Sequence, residues 1–363
     1  MIRILHVVTF MGRGGLETML MNYYRHIDRT KIQFDFLVHR NFRADYDDEI
    51  EKLGGKIHRL PRLVPWNKSY LDALNEFFKN HSEYRIVHVH QDCLSSVILK
   101  AAYKNNVPVR IAHSHNSNQT KNLKYPIKLF FKKFISKYAT DLMACSTEAG
   151  AWMFNQSRFE ILRNAIDVKL YKHSTEKRVL ARERLGIPQD AFVVGHVGRF
   201  ETQKNHSFLV DIFNEVKNQN NNSVLLLIGD GELKSEIEAK TISLGIQDSV
   251  IFTGVRCDVC DLLNTMDVFV MPSLYEGVSL SVVEAVANNL PCFVTDNIST
   301  DLEHIECITR VSLRQKPDVW ANIILKTCNN TRSENVNKQL IVNGYDIHKN
   351  VNELTEFYIK KWN

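Results

Sequence analysis

The run Asp267-Val268-Phe269-Val270-Met271-Pro272-Ser273-Leu274-Tyr275-Glu276-Gly277-Val278-Ser279-Leu280-Ser281-Val282-Val283-Glu284 reads as an apolar strand, a turn and the start of a helix. Pro272 and Ser273 end the strand, Gly277 permits an unusual backbone turn, and Ser279 is placed to begin a helix through Leu280, Val283 and Ala287. The first backbone N–H groups of such a helix have no internal partners, and together with the macrodipole they attract a phosphate or diphosphate. Two carboxylates flank that anion site. Glu276 stays in the loop, and Glu284 lies roughly 7–8 Å beyond the helix start at 1.5 Å per residue. Carboxylates accept hydrogen bonds from vicinal hydroxyls, so a diphosphate held here would have a sugar near one Glu and a ribose near the other. The plain alternative is a capped helix with a solvated Glu one turn in.

The same alternation extends in both directions. Upstream, apolar runs at Ile4 to Val8, Phe34 to Val38, Arg85 to Val89, Val109 to Ala112 and Asp141 to Ala144 are separated by helical stretches. A second set follows at Phe192 to Val197, Val224 to Ile228, Val250 to Phe252, Val268 to Met271 and Cys292 to Val294. This pattern predicts an α/β chain with parallel strands joined by right-handed crossovers, in two Rossmann-like domains that meet near Asp167 to Lys177. The polar tract Asn218 to Asn222 is expected to be a loop, and Asp346 to Trp362 an amphipathic terminal helix, with Val351, Leu354, Phe357, Tyr358 and Trp362 at helical spacing.

A length of 363 residues suits two cores rather than one. With 44% apolar residues, 15 Gly and 8 Pro, the composition is that of an ordinary globular protein, and a net charge of +5 argues against wholesale nucleic-acid binding. No run approaches 18 apolar residues, and Met1 to Val8 enters a strand directly, so neither a spanning helix nor a signal peptide is expected. Seven scattered cysteines fit reduced thiols in the cytosol, and the lone Cys257-x-x-Cys260 lacks a second pair for metal binding.

Glu276 and Glu284 with seven residues between them, preceded by Met271-Pro272-Ser273 and followed by Leu290-Pro291, resemble the signature of retaining family-4 glycosyltransferases with the GT-B fold. Gly195-His196-Val197-Gly198-Arg199-Phe200 and then Lys204-Asn205-His206 resemble that family's donor-phosphate segment. Arg163-Asn164-Ala165-Ile166-Asp167, Gly229-Asp230-Gly231-Glu232 and Phe252-Thr253-Gly254 fall in the expected order. In the first half the resemblance is thinner, resting on Gly14-Gly15-Leu16-Glu17 and His113-Ser114-His115-Asn116.

The resemblance implies two parallel sheets facing across a cleft: residues 1–168 on the acceptor side, 169–345 binding the nucleotide-sugar donor, and 346–363 returning to the first domain. It implies Glu276 on donor-sugar hydroxyls, Glu284 on the ribose, and the amides of Val278, Ser279 and Leu280 on phosphate, with Gly277 in the turn before them. Arg199 and Lys204, beside Gly198 and Asn205, would neutralise the diphosphate as a fork and a point charge. Gly14 and Gly15 would approach the diphosphate, and His113 or His115 would reach the sugar, the His-Ser-His spacing leaving both registers open. Such a transferase needs no metal, and the sequence has no Asp-x-Asp pair after a strand to hold one. Transfer would keep the anomeric configuration, with the donor's own phosphate taking the acceptor proton. The cofactor expectation is therefore none beyond a nucleotide-sugar co-substrate.

Thr295-Asp296-Asn297-Ile298 with Val311-Ser312-Leu313 resembles members of bacterial exopolysaccharide and capsule assembly. That implies a polyprenyl-diphosphate-linked saccharide as acceptor, at the cytoplasmic membrane face. Lys121 to Tyr138 interleaves six lysines with Tyr125, Ile127, Leu129, Phe130, Phe131, Phe134 and Ile135, which suits an interfacial helix on anionic lipid. A crossover helix burying Phe130 and Phe134 is the simpler reading. Three other functions compete. A nicotinamide oxidoreductase is disfavoured because Gly12-Arg13-Gly14-Gly15 departs from the Gly-x-Gly-x-x-Gly pattern and Val38-His39-Arg40 supplies no acid for ribose. A GT-B sugar-nucleotide epimerase, or a non-catalytic partner that binds nucleotide sugar, remains open.

Overall fold

Strands rich in β-branched and aromatic residues alternate with amphipathic helices along the whole chain, and each strand pairs in parallel because the helix between brings it back in the same direction. The computed structural model describes residues 1–119, 123–327 and 335–363, divided into one unit of Met1–Ala165 with Ile347–Asn363 and another of Ile166–Asp346.

The first unit carries β1 (Ile2–Val8), β2 (Ile32–Val38), β3 (Ile57–Arg59), β4 (Ile86–Val89), β5 (Val109–Ser114), β6 (Asp141–Ala144) and β7 (Glu160–Ile161) in the order β3-β2-β1-β4-β5-β6-β7. Its helices are α1 (Gly15–His26), α2 (Asp47–Lys52), α3 (Lys68–Asn80), α4 (Ser95–Lys104), α5 (Tyr125–Lys132), α6 (Ile135–Tyr138) and α7 (Thr147–Phe154). The second unit carries β8 (Phe192–Val197), β9 (Ser223–Ile228), β10 (Val250–Phe252), β11 (Val268–Met271), β12 (Cys292–Thr295) and β13 (Ile308–Val311) in the order β10-β9-β8-β11-β12-β13. Around it lie α8 (Thr175–Leu185), α9 (His206–Gln219), α10 (Lys234–Ser243), α11 (Val259–Leu262), α12 (Leu280–Ala287), α13 (Pro317–Thr327) and α14 (Asn335–Val342), and α15 (Ile347–Trp362) belongs to the first unit.

Both faces of each sheet are covered, so alternate strand residues feed two cores. In the first unit Ile4, Phe34, Phe36 and Ile86 pack with Tyr24 and Tyr358, while Leu5, Val7, Leu37 and Val87 pack with Leu74 and Ile98. Each such side chain, withdrawn completely from water, stabilises the fold by about 1.5–3 kcal/mol.

Three strands were not expected from the sequence. β3, β7 and β13 are short edge strands whose residues stay largely half-buried or exposed, so no apolar run marks them. The tract at Asn218–Asn222 is partly helical, because α9 runs to Gln219. Asp47, within the acidic run Asp45 to Asp48, is 2% exposed and accepts from Arg59 at 2.5 Å. The lysine-rich segment forms two helices, α5 and α6, and its Lys121 lies outside the described residues. Phe130 is 57% exposed rather than buried in a crossover. Among the described residues no helix is long and apolar enough to cross a membrane, and the six cysteines described are free.

Candidate active site

In each sheet the strand order reverses direction at one place, between β1 and β4 and between β8 and β11. The carboxyl ends of strands at such a switch point leave a crevice in which open α/β sheets bind ligands. The expected site residues emerge from these strand ends.

In the second unit β8 runs into Gly198 and Arg199, and β11 runs into the loop before α12. Three bonds join the two loops: Asn205 Nδ2 donates to Pro272 O at 3.1 Å, Gln203 Nε2 to Tyr275 O at 3.0 Å, and the Leu274 amide to Gln203 O at 2.8 Å. Asn205 adopts φ 57°, in the left-handed region that Asn tolerates better than most side chains, and this turn starts α9. Gly198 has to stay bare, because a Cβ there would come within 2.8 Å of His196 Nε2.

This framework carries Lys204 to Glu276. The Lys204 Nζ donates to Glu276 Oε1 at 2.7 Å, and the carboxylate side chain is only 8% exposed. A charge so nearly withdrawn from water needs its partner, and breaking a pair of this kind costs more than the pair contributes. Arg199 is half exposed and donates to Glu201 Oε1 at 2.9 Å, so the geometry joins Lys204 and Glu276 directly and holds Arg199 at the surface of the same loop.

Ser279 occupies the N-cap position of α12, with φ −68° and ψ 123°, yet its hydroxyl makes no capping bond and pairs with Ser281 Oγ at 3.0 Å. The Val282 and Val283 amides turn back to Ser279 O. Gly277, Val278, Ser279 and Leu280 thus bring the first turn of the helix to the C-terminal edge of the sheet beside Glu276. One turn in, Glu284 is buried rather than solvated, and Tyr171 Oη donates to its Oε1 at 2.8 Å. Burial raises the Glu284 carboxyl to about 7, with the Tyr171 hydrogen bond pulling the other way.

Tyr171 is a site residue that sequence reasoning missed, because it lies in the stretch read as a join between domains. Asn288 Nδ2 holds the Tyr171 carbonyl at 2.9 Å and so fixes the tyrosine over the acid.

The first unit presents a different surface. β1 leads to Gly14, the N-cap of α1, whose amide donates to Gly12 O at 3.0 Å, and a Cβ on Gly15 would meet nothing within 4 Å. From β1, β4 and β5 come five stacked imidazoles: His6, His88, His90, His113 and His115. His6 pairs in register with His88, and residues two apart on a strand share a face. His6 Nδ1 and His90 Nε2 are 3.0 Å apart, His90 Nδ1 and His115 Nε2 are 2.9 Å apart, and His88 Nδ1 lies 2.7 Å from Tyr358 Oη.

Burial drives the His6, His88, His90 and His113 imidazoles to the neutral form, with His6 lowered to about 3, and partial desolvation lowers His115 in the same direction. His113 is 2% exposed and both its ring nitrogens are unpartnered, whereas His115 is only half-buried at the strand end. The ligand nitrogens of His90, His113 and His115 lie within 4.8 Å of one another, as do those of His6, His88 and His90. Those spacings suit a metal ion, but His90 already spends both nitrogens on His6 and His115.

An α/β chain with a helix start, a cationic loop and two carboxylates at one sheet's switch point offers the groups that nucleotide-sugar chemistry uses. Residues 13–170 match the family model "Glycosyltransferase Family 4" and residues 178–354 match "Glycosyl transferases group 1". EpsF of Bacillus subtilis, a protein named as a glycosyltransferase, is 36% identical over 98% of this chain and 96% of its own. The chain therefore belongs to the family-4, group-1 glycosyltransferases. The UDP-Gal:alpha-D-GlcNAc-diphosphoundecaprenol alpha-1,3-galactosyltransferase of Escherichia coli is 26% identical over 76% of each chain. The crystal structure of Anabaena HepE in complex with UDP and glucose superposes with a TM-score of 0.83 at 18% identity, covering 99% of both chains, and this likeness establishes the GT-B fold.

Proposed function

We propose that the protein is a retaining glycosyltransferase that moves a hexose or N-acetylhexosamine from a UDP-sugar to a polyprenyl-diphosphate-linked saccharide in cell-surface polysaccharide synthesis. The observation that carries this reading is the Lys204–Glu276 ion pair set beside the open first turn of α12. Support for the donor and acceptor classes comes from the relatives: HepE is seen with UDP and glucose, and the E. coli enzyme is named for a diphosphoundecaprenol acceptor.

When donor binds, its diphosphate meets the α12 amides, Lys204 and Arg199, and Lys204 exchanges its carboxylate partner for phosphate oxygen. Glu276 is then released to accept from the sugar hydroxyls, while Glu284 accepts from the ribose. Charge developing on the leaving diphosphate falls on donors already in place, which is where electrostatic catalysis has its largest effect. These cations and amides take the role that a divalent metal plays elsewhere, so transfer proceeds without one. The departing phosphate oxygen takes the acceptor's proton on the face it leaves, which preserves the anomeric configuration. His115, at the half-buried end of the imidazole stack, contacts the sugar as a neutral hydrogen-bonding group, and His113 supports it from behind at a ring separation of 4.1 Å.

The protein works at the inner face of the cytoplasmic membrane, held peripherally by the lysine-rich helices. Not every lysine in that segment faces lipid: Lys128 donates to Gln119, and Lys132 lies over Trp152 at 4.5 Å. Flotation with anionic vesicles at low salt tests the membrane contact, and a protein that stays at the bottom of the gradient contradicts it. Incubation with a panel of radiolabelled UDP-sugars tests the enzyme. Slow release of free sugar from one donor is expected, and release from none contradicts a transferase role.

A further inference from the structure

Between α3, α4 and the α5–α6 pair lies a cavity of 260 Å³, wholly within the first unit and distinct from the strand-end site. We propose that this cavity seats the proximal part of the acceptor's polyisoprenyl chain, with Lys100 and Lys104 at its rim holding the diphosphate. The proposal rests on the reading of the acceptor as prenyl-linked.

Four observations favour that occupant. The walls are apolar: Leu71, Val97, Ala101, Phe130, Phe134 and Tyr138 face the space, and Phe130 remains 57% exposed at its mouth. An aromatic side chain open to water beside an apolar hollow costs free energy that an entering hydrocarbon recovers. The volume is slightly below the roughly 300 Å³ at which small-molecule pockets begin, which suits one stretch of a long chain rather than a whole compact ligand.

The rim carries the charge that a prenyl diphosphate needs. Lys100 and Lys104 both line the cavity, are both exposed, and stand one turn apart on α4, so their ammonium groups can take the two phosphates of one headgroup. A phospholipid offers a single phosphate between two tails and matches this pair less well.

Spacing also agrees. α4 begins just after β4, at the C-terminal edge of the sheet, and Lys100 and Lys104 lie about 6 and 12 Å along its axis from Ser96 at 1.5 Å per residue. The acceptor's saccharide stands between the reacting hydroxyl and the diphosphate, so the diphosphate belongs a sugar or more away from that edge.

Calorimetric titration with farnesyl diphosphate, a short soluble prenyl diphosphate, tests the site. Saturable binding is expected to the wild type, weakened at least about tenfold in Ala101→Trp, since each buried methylene lost is worth about fourfold. Phe130→Ser, a change at an exposed residue that leaves the fold intact, should weaken it as well, and Lys100→Glu with Lys104→Glu should abolish it at low salt. UDP binding and UDP-sugar hydrolysis should be unchanged in all of these variants. No saturable binding to the wild type, or wild-type affinity in both Ala101→Trp and Phe130→Ser, overturns the proposal, and dodecyl phosphate binding as tightly as farnesyl diphosphate overturns the prenyl assignment. Donor hydrolysis reads out the transferase function separately. Hydrolysis without farnesyl binding removes the cavity proposal alone, whereas farnesyl binding without turnover of any UDP-sugar keeps the cavity and removes the transferase.

Discussion

The two sheets reach their switch points with opposite electrostatic strategies. In the second unit the strand ends carry charge that is already paired, Lys204 to Glu276, together with an acid, Glu284, whose carboxyl is raised by burial against the opposing pull of the Tyr171 hydrogen bond. In the first unit the equivalent position holds imidazoles kept uncharged by burial and joined ring to ring. A diphosphate demands fixed cations, and in the proposed reading Glu276 keeps Lys204 in place until the diphosphate arrives. A sugar bearing only hydroxyls is served by neutral groups that both donate and accept, and these need no counter-charge in the core. The contrast matches the chemistry each surface offers: fixed charge in the second unit, neutral donors and acceptors in the first.

Removing charge from the second unit should have the largest effect. Glu276→Ala and Arg199→Ala are each expected to lower turnover by roughly 10² or more, the loss typical of one oxyanion-stabilising donor. Initial rates of sugar transfer check this, and near wild-type rates in either variant break the assignment. Lys204→Ala should in addition destabilise the protein by about 3 kcal/mol in urea melts, because the nearly buried Glu276 loses this ion pair. Replacing both partners together, as Lys204→Met with Glu276→Gln, should restore most of that stability while leaving transfer low.

The neutral half should show itself against pH. Each buried imidazole is lowered in the fold relative to about 6.5 in the unfolded chain, so below 6.5 the unfolded state takes up protons that the folded state refuses. Stability is therefore present above pH 6.5 and falls as the pH drops from there toward 3, with each group contributing up to about 1.4 kcal/mol per pH unit. Urea melts at pH 7.5, 6 and 5 measure the slope, and a flat profile would mean that the imidazoles are charged or solvated.

Glu284 should act in the reverse sense and more gently. Its carboxyl is raised to about 7, so the stability it contributes is present below 4.5 and fades as the pH rises through 7. Ribose hydroxyls favour the carboxylate as acceptor, so UDP binding should tighten between pH 5.5 and 7.5 and release a proton. Glu284→Gln should flatten that dependence. Tyr171→Phe, which removes one hydrogen bond to the acid, is expected to cost only about 1 kcal/mol of stability and to move the midpoint upward.

Much of this contrast could be read from the chain. The central strands are continuous apolar runs, and the Glu276 to Glu284 spacing with Lys204-Asn205 marks the charged corner in the sequence itself. Edge strands such as β7, with both its residues exposed, leave no such trace because nothing apolar has to be hidden. Tyr171 was invisible because a lone tyrosine in a connecting stretch carries no periodic signal, and its meaning comes only from a hydrogen bond across 113 residues. The imidazole stack was half legible. His88-Val89-His90 and His113-Ser114-His115 each place two rings on one face, but which strands lie side by side is a matter of sheet order that the local pattern does not encode.

The most direct test of the charged corner is calorimetric binding of UDP to the wild type and to Lys204→Met. A lysine that trades Glu276 for phosphate predicts affinity lower by about 10- to 100-fold in the variant, the worth of one charge-assisted hydrogen bond. Unchanged affinity would place the diphosphate elsewhere and contradict the account.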